Sequence, residues 1–300
     1  MASTMLQLIQ QATAEMGLSV PNYVAGNTAQ DTVQQMALLN AVGYELTRQF
    51  EWQWQVAQHI ITVDSLTITA DTTEGSDQMT NVTPTTGIDD TYQINGPGIN
   101  QACYVNGIVG TTIELSQPAT STNTGQAYTL GKTKFDLPEG YDRQINRTHW
   151  DKSKHWEMLG PESAQQWEWL LSGYISTGPR IRYRIFGNYF QIWPMVTDGE
   201  VLGFEYMTNA WARSSTGTPK TSMTVDTDTC VFPDRLMVLG LKLKYFEIKG
   251  FDTEAFLRDY TAQLNIAKAA DAGAATLSFS PRISTILIVW EQIPDAGYGS

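Results

Sequence analysis

The chain has 300 residues, 42% hydrophobic and 17% charged. That is enough for a buried core and, at roughly 150 residues per unit, for about two domains; it excludes collagen, coiled-coil and short disulfide-scaffold classes and argues against global disorder. Nineteen Lys and Arg against thirty-one Asp and Glu give a net charge of −12 and a pI near 4.6, which disfavours tight, charge-driven binding to DNA.

In chain order, Met5, Leu8, Ile9, Ala12 and Met16 recur at helical spacing after Ser3 as N-cap, with Gly17 and Pro21 as stop signals. A second helix is predicted over about 31–50, where Val33, Met36, Asn40 and Tyr44 fill one row and Val42, Leu46 and Phe50 the next. Trp52 and Trp54 then alternate with polar residues, a change of period towards strand. Between about 59 and 135, Thr, Asn, Gly and β-branched residues dominate, and 66–131 holds no Lys or Arg. Turn signals such as Asn95-Gly96 and Asn106-Gly107 separate runs that read as strands. This predicts a small acidic β domain inserted in a helical one.

Helical character is expected to return from Asp136, with Pro161 at a helix start, and nine of the nineteen basic residues fall within 132–184. A three-stranded antiparallel meander follows over 181–186, 189–193 and 201–206. Residues 233–248 read as an apolar helix closed by Gly250, and Asp252 caps another running to about Ala270. The last segment, 274–300, turns β-branched and apolar at 283–290 and reads as an arm.

Signs of catalytic chemistry are sparse. His59, His149 and His155 are few for a hydrolase or metal enzyme, and no nucleophile elbow, P-loop, dinucleotide fingerprint or HExxH is present. Asp226 and Asp228 lack the glycine and closing glutamate of a calcium loop and read as a solvated acidic turn. Asp89 with Asp90, and Glu139 with Asp142, are paired carboxylates whose separation the sequence does not fix. Cys103 and Cys230 have neither disulfide-framework nor metal spacing, which fits a reducing cytoplasm. The N-terminus has no signal-peptide pattern and no apolar run reaches the roughly 20 residues that span a bilayer, so no membrane partner is expected. Nine tryptophans suit core packing, large interfaces or stacking on sugars. The chain is expected to be no enzyme and to use no cofactor.

Taken in order, the N-terminal helical pair ending in FEWQWQ, the stretch FDLPEGYDRQINRTHWDKSKHWEMLGPESAQQWEWL, the FQIWPMVTDGEVLGFEYMTNAW meander and DTDTCVFPDRLMVLGLKLKYFEIKGFDTEAFLRDY resemble head-to-tail adaptor proteins of short-tailed bacteriophages. The resemblance implies a virion structural protein at the head–tail interface, assembled in the host cytoplasm as a dodecameric ring. Such a ring binds the portal, extends the channel through which genomic DNA passes without specific binding, and offers a platform to tail nozzle or fibre proteins. The expected fold is α+β: an N-terminal helical part of the body (1–57), an inserted β domain (58–135), a helical body with the meander (136–272) and an extended C-terminal arm (273–300). The arm residues Ile286, Leu287, Ile288, Val289 and Trp290 are expected to bind the portal, since an apolar terminal strand suits addition to a partner's sheet edge. Arg143, Arg147, Lys152, Lys154, Arg180, Arg182 and Arg184 are the expected basic interface cluster. The alternatives are a glycan-binding or glycan-degrading virion protein, with Trp52 and Trp54 as sugar contacts, and a tail-fibre protein.

Overall fold

Segments with an apolar helical period fold as helices in the computed structural model, which describes residues 2–172 and 180–272. These are α1 (Met5–Glu15), α2 (Gln30–Gln49), α3 (Ala164–Leu171), α4 (Asp234–Lys249) and α5 (Glu254–Ala272). Thr4 rather than Ser3 caps α1. The Thr4 hydroxyl accepts the Gln7 N–H while the Gln7 side chain accepts the Thr4 N–H. Ser3 is held elsewhere, donating its hydroxyl to Asp234 Oδ2 at 2.6 Å and so tying the first helix to the start of α4.

α4 is the axis of this layer. Its residues 236–241 are all buried, and α1, α2 and α5 pack around it. A helical stretch with no polar face has to be enclosed in this way. At Gly240 a Cβ would meet Val42 Cγ1 at 2.6 Å and Tyr260 Cε2 at 3.2 Å, so the missing side chain admits α2 and α5 to the axis. Gly250, at φ 75°, ends α4 in the left-handed conformation that glycine adopts without strain.

Among the described residues the strands form four sheets. A five-stranded sheet joins β1 (Val56–Thr62) to β14 (Val201–Thr208), with β9 (Tyr141–Gln144), β10 (Trp150–Asp151) and β11 (Trp156–Glu157) on the far side of β14. A six-stranded sheet runs β4 (Tyr92–Asn95), β7 (Asn123–Lys132), β2 (Ser65–Thr72), β3 (Gln78–Thr83), β6 (Thr112–Leu115), β5 (Val105–Val109). A bridge between Gln93 and Tyr104 brings its two ends together, making it nearly a barrel around Ile68, Met79, Ile94, Ile113, Tyr128 and Leu130. The third sheet is β12 (Arg182–Phe186), β13 (Tyr189–Trp193) and β8 (Lys134–Asp136). The fourth, of two-residue strands, is β16 (Pro219–Lys220), β15 (Ala212–Arg213) and β17 (Thr229–Cys230). The near-barrel docks on the rest through a buried cluster of Ala102, Trp167, Leu170 and Trp193, and through the Met195 N–H donating to Gln93 Oε1 at 3.2 Å.

This architecture overturns the expected helical body with a small inserted all-β domain: the chain is mostly antiparallel β, with five helices among the described residues. The stretch after Asp136, expected to be helical, contains β9, β10 and β11, whose two to four residues are too short to show an alternating pattern and which form by pairing along the distant β14 or with each other. The expected meander also divides. β12 and β13 pair as a hairpin, but β13 turns to β8, and β14 crosses to β1. Pro194, with no N–H to extend a ladder, ends β13, and the chain to β14 is too long for a tight turn. Trp52 and Trp54 lie at a 3-10 turn, Gln53–Gln55, rather than in a strand. The expected arm, 273–300 with Ile286, Leu287, Ile288, Val289 and Trp290, lies outside the described residues.

Gly43 of α2 lies against the six-membered ring of buried Trp211, where a Cβ would overlap the indole. Gly43→Ala is therefore expected to destabilise by about 1–3 kcal/mol through overpacking, although alanine is the better helix former. Urea unfolding would read this as a lower midpoint at unchanged slope; an unchanged midpoint would mean that the ring yields freely.

Candidate functional site

The seven basic residues expected to form one cluster are spread over two sheets, and most are neutralised inside the chain. Arg143 on β9 reaches Glu51 at 2.7 Å, Arg147 reaches Glu157 at 3.7 Å, Lys154 reaches Glu200 at 2.6 Å, and Arg182 on β12 reaches Glu162 at 2.7 Å. Arg184 lies over the Phe186 ring at 5.0 Å, and Arg180 is exposed. Arg147 and Lys152 meet at one place, a groove of about 530 Å³ on the five-stranded sheet, with Gln58, Trp150, His155 and Glu205. There Trp150 stands opposite Gly203, which stands opposite Ile60. Gly203 carries no Cβ, and one would meet Lys152 Cε at 2.6 Å, so the lysine chain lies flat across the strand. The groove offers a half-exposed indole between cations and Glu205, a surface for stacking and hydrogen bonding.

The tryptophans expected to contact sugars are committed to the core. Trp52 is buried, donates its indole N–H to the Leu46 carbonyl at 2.7 Å and packs edge-on against Phe232, as does the partly buried Trp54. The carboxylate pairs are structural where they have partners. Asp226 accepts the Val24 and Ala25 N–H groups at 3.1 and 2.7 Å. Asp228, read from the sequence as part of a solvated turn, is buried, pairs with Lys220 and accepts the Thr224 and Val225 N–H groups at 2.8 and 2.9 Å. Asp89 closes a local turn with Thr91, and Asp90 reaches Lys134 at 3.5 Å. Among the described residues no group of three or more His, Cys, Asp or Glu side chains could hold a metal ion, and no helix is long and apolar enough to cross a membrane.

His149 is an unusual group. It is 1% exposed with neither ring nitrogen hydrogen-bonded, and it stacks on Tyr183 at 4.0 Å and Phe204 at 5.0 Å, one ring from each of two sheets. Burial pushes its pKa down to about 4. The imidazole is thus a flat apolar filler between sheets rather than a base.

A different surface carries unspent apolar area. At the corner between α4 and α5, Ile248, Phe251 and Leu257 are 58%, 63% and 52% exposed, and Lys249 ties the corner to Asp31 at the start of α2 at 3.6 Å. Val33 and Tyr44 stand on the outer row of α2, half exposed, with Arg48 over the Tyr44 ring at 4.9 Å. Clustered large apolar side chains at the surface mark contact sites. The sequence held a signal for the corner in Phe251, an aromatic placed just after the Gly250 stop and therefore outside either helix's buried row. The chain matches no family model and no curated protein.

Because the native state binds the His149 proton more weakly than an unfolded chain does, stability is complete above the ordinary imidazole pKa of about 6.5 and falls as pH drops towards 4, by up to about 3 kcal/mol. In His149→Phe, which keeps the stack and removes the titration, the loss between pH 7 and 4.5 is expected to be smaller by about 2–3 kcal/mol in urea unfolding. Equal losses in both proteins would show that His149 does not set the acid limit.

Proposed function

We propose that this chain is a structural subunit of a short-tailed phage virion, a head-to-tail adaptor that closes into a ring on the portal, continues the DNA channel and presents a platform to tail nozzle or fibre proteins. The observation that carries the reading is the exposed apolar surface of the helical layer: Ile248, Phe251 and Leu257 at one corner, Val33 and Tyr44 along α2. Aromatic and aliphatic side chains of this size contribute most when buried centrally between subunits. Contact of one subunit's corner with another part of its neighbour is heterologous, and a heterologous contact whose rotation closes builds a ring. Repetition round the ring then multiplies individually modest contacts with the portal.

The charge distribution supports a channel role. Each phosphate neutralised by a free cation adds binding that must be broken when DNA moves. With a net charge of −12 and Arg143, Arg147, Lys154 and Arg182 answered by carboxylates of the same chain, the subunit offers DNA little to hold. The ordered resemblance of the helical, meander and C-terminal segments to adaptor proteins supports the same reading, with 286–290 as the portal-binding arm.

Mixing the purified chain with the portal ring of the same virus is expected to give, by size-exclusion chromatography with light scattering, a complex holding one copy per portal subunit. Phe251→Glu, at an exposed position, is expected to leave thermal unfolding unchanged and to lower that occupancy. A chain that stays apart from the portal at micromolar concentration overturns the adaptor reading.

A further inference from the structure

The groove on the five-stranded sheet differs from the rest of the surface in what its side chains leave unused. Elsewhere charge is answered within the chain: Lys220 by Asp228, Arg235 and Lys242 by Glu15, Lys244 by Glu45. In the groove, Lys152 and Glu205 form no ion pair among the described residues, and no side-chain hydrogen bond there engages them, the Gln58 amide, the His155 ring or the Trp150 indole N–H. Asp151, which also lines the groove, is buried and occupied, accepting the Ser153 and Lys154 N–H groups at 3.0 Å each.

The backbone holds these groups together. Of three non-glycine residues in the left-handed conformation among the described residues, two line the groove, Arg147 at φ 66° and His155 at φ 58°. A residue with a Cβ is strained there, and such strain gathers where a protein acts. Gly203 opens the floor beside Trp150: the Lys152 ammonium lies 3.3 Å from where a Cβ would stand. In the next cross-strand row Glu205 stands opposite Gln58. Unengaged donors on Lys152, Trp150 and His155, an acceptor on Glu205 and both kinds on Gln58 define the chemistry that would satisfy them. An anion would meet Glu205, and a cation would meet Lys152 and Arg147, so the fitting ligand is neutral, with donors and acceptors together and an apolar face for the indole. A sugar ring has all three, in hydroxyls round its rim and C–H bonds on its face. The groove, at about 530 Å³, lies within the roughly 300–1,000 Å³ of small-ligand sites.

We propose that this groove is a binding site for a neutral oligosaccharide, with one sugar ring lying on the Trp150 indole and its hydroxyls shared among Lys152, Gln58 and Glu205. Lys152 donates to hydroxyl oxygens, Glu205 accepts from hydroxyl groups, and Gln58 does either. Trp150 takes the part that Trp52 and Trp54, packed on Phe232, do not fill. The site goes beyond the adaptor reading and does not rest on it.

The test applies the full-length chain to an array of neutral and acidic oligosaccharides and takes the strongest neutral ligand into saturation-transfer NMR. At least one neutral oligosaccharide is expected to bind, with an affinity that added salt leaves unchanged. Trp150→Ala is expected to weaken it roughly tenfold or more, and Trp150→Phe, which keeps an aromatic face, to restore part of the loss. Trp156→Ala removes a similarly exposed indole outside the groove and is expected to bind as wild type. Gln58→Ala, at an exposed strand position, gives a second variant that weakens binding without loss of the fold. Failure of every neutral oligosaccharide to bind overturns the proposal. So does binding that survives both Trp150→Ala and Gln58→Ala, or a preference for acidic sugars that salt abolishes, which would make this an anion site.

Discussion

Enclosure of α4 is the constraint on which the helical half of the structure depends. Six consecutive buried residues leave the helix no solvent face over that stretch, so α1, α2 and α5 must all be present for it to be satisfied. Each buried leucine or valine is worth about 1.5–3 kcal/mol, far more than a surface ion pair. The cations of α4 nevertheless specify its neighbours. Arg235 and Lys242 meet Glu15 of α1 at 2.5 and 2.9 Å, while Lys244 meets Glu45 of α2 at 2.8 Å. Burial weighs against ionisation of Glu15, but hydrogen bonds from Lys242, Gln11 and Arg235 outweigh it and hold the carboxyl below its usual range. Apolar enclosure thus supplies the stability, and charge decides which helix lies on which side.

β14 plays the corresponding part among the strands. It takes β1 on one edge and β9 and β10 on the other, while Leu202, Phe204 and Tyr206 point into a core shared with Tyr183, Phe190 and Ile192 of the hairpin. His149 lies flat between Tyr183 and Phe204 and joins the two sheets by ring stacking alone. What the core does not absorb, the apolar corner at Phe251 and the outer row of α2, stays exposed at the surface.

Elements with a long period were legible in the sequence, and those made by distant pairing were not. α2 and α4 were read to within a residue or two because rows of apolar side chains and the Gly250 stop are local signals. β9, β10 and β11 carry no pattern of their own, and the short path from β13 to β14 misleads because sequential strands usually pair. The same limit governs the candidate site. A cluster of arginines and lysines is visible as composition, but their partners Glu51 and Glu200 lie 92 and 46 residues away, and that distance hides the neutralisation. Trp52 and Trp54 illustrate a further loss: alternation with polar residues suggests strand, whereas the turn at Gln53–Gln55 drops both indoles onto Phe232.

The hydrogen bonds of Ser3 to Asp234, and of Val24 and Ala25 to Asp226, span 231, 202 and 201 positions. On a ribosome, α1 and α2 emerge long before the axis they enclose, while every strand of the near-barrel has its partners within 65–132 and can complete its sheet first. The helical surface with the apolar corner comes into being only after the last third of the chain is made. Until α4 emerges the apolar rows of α1 and α2 have no axis to close on, so the helical half completes its core late and in one step, after the near-barrel.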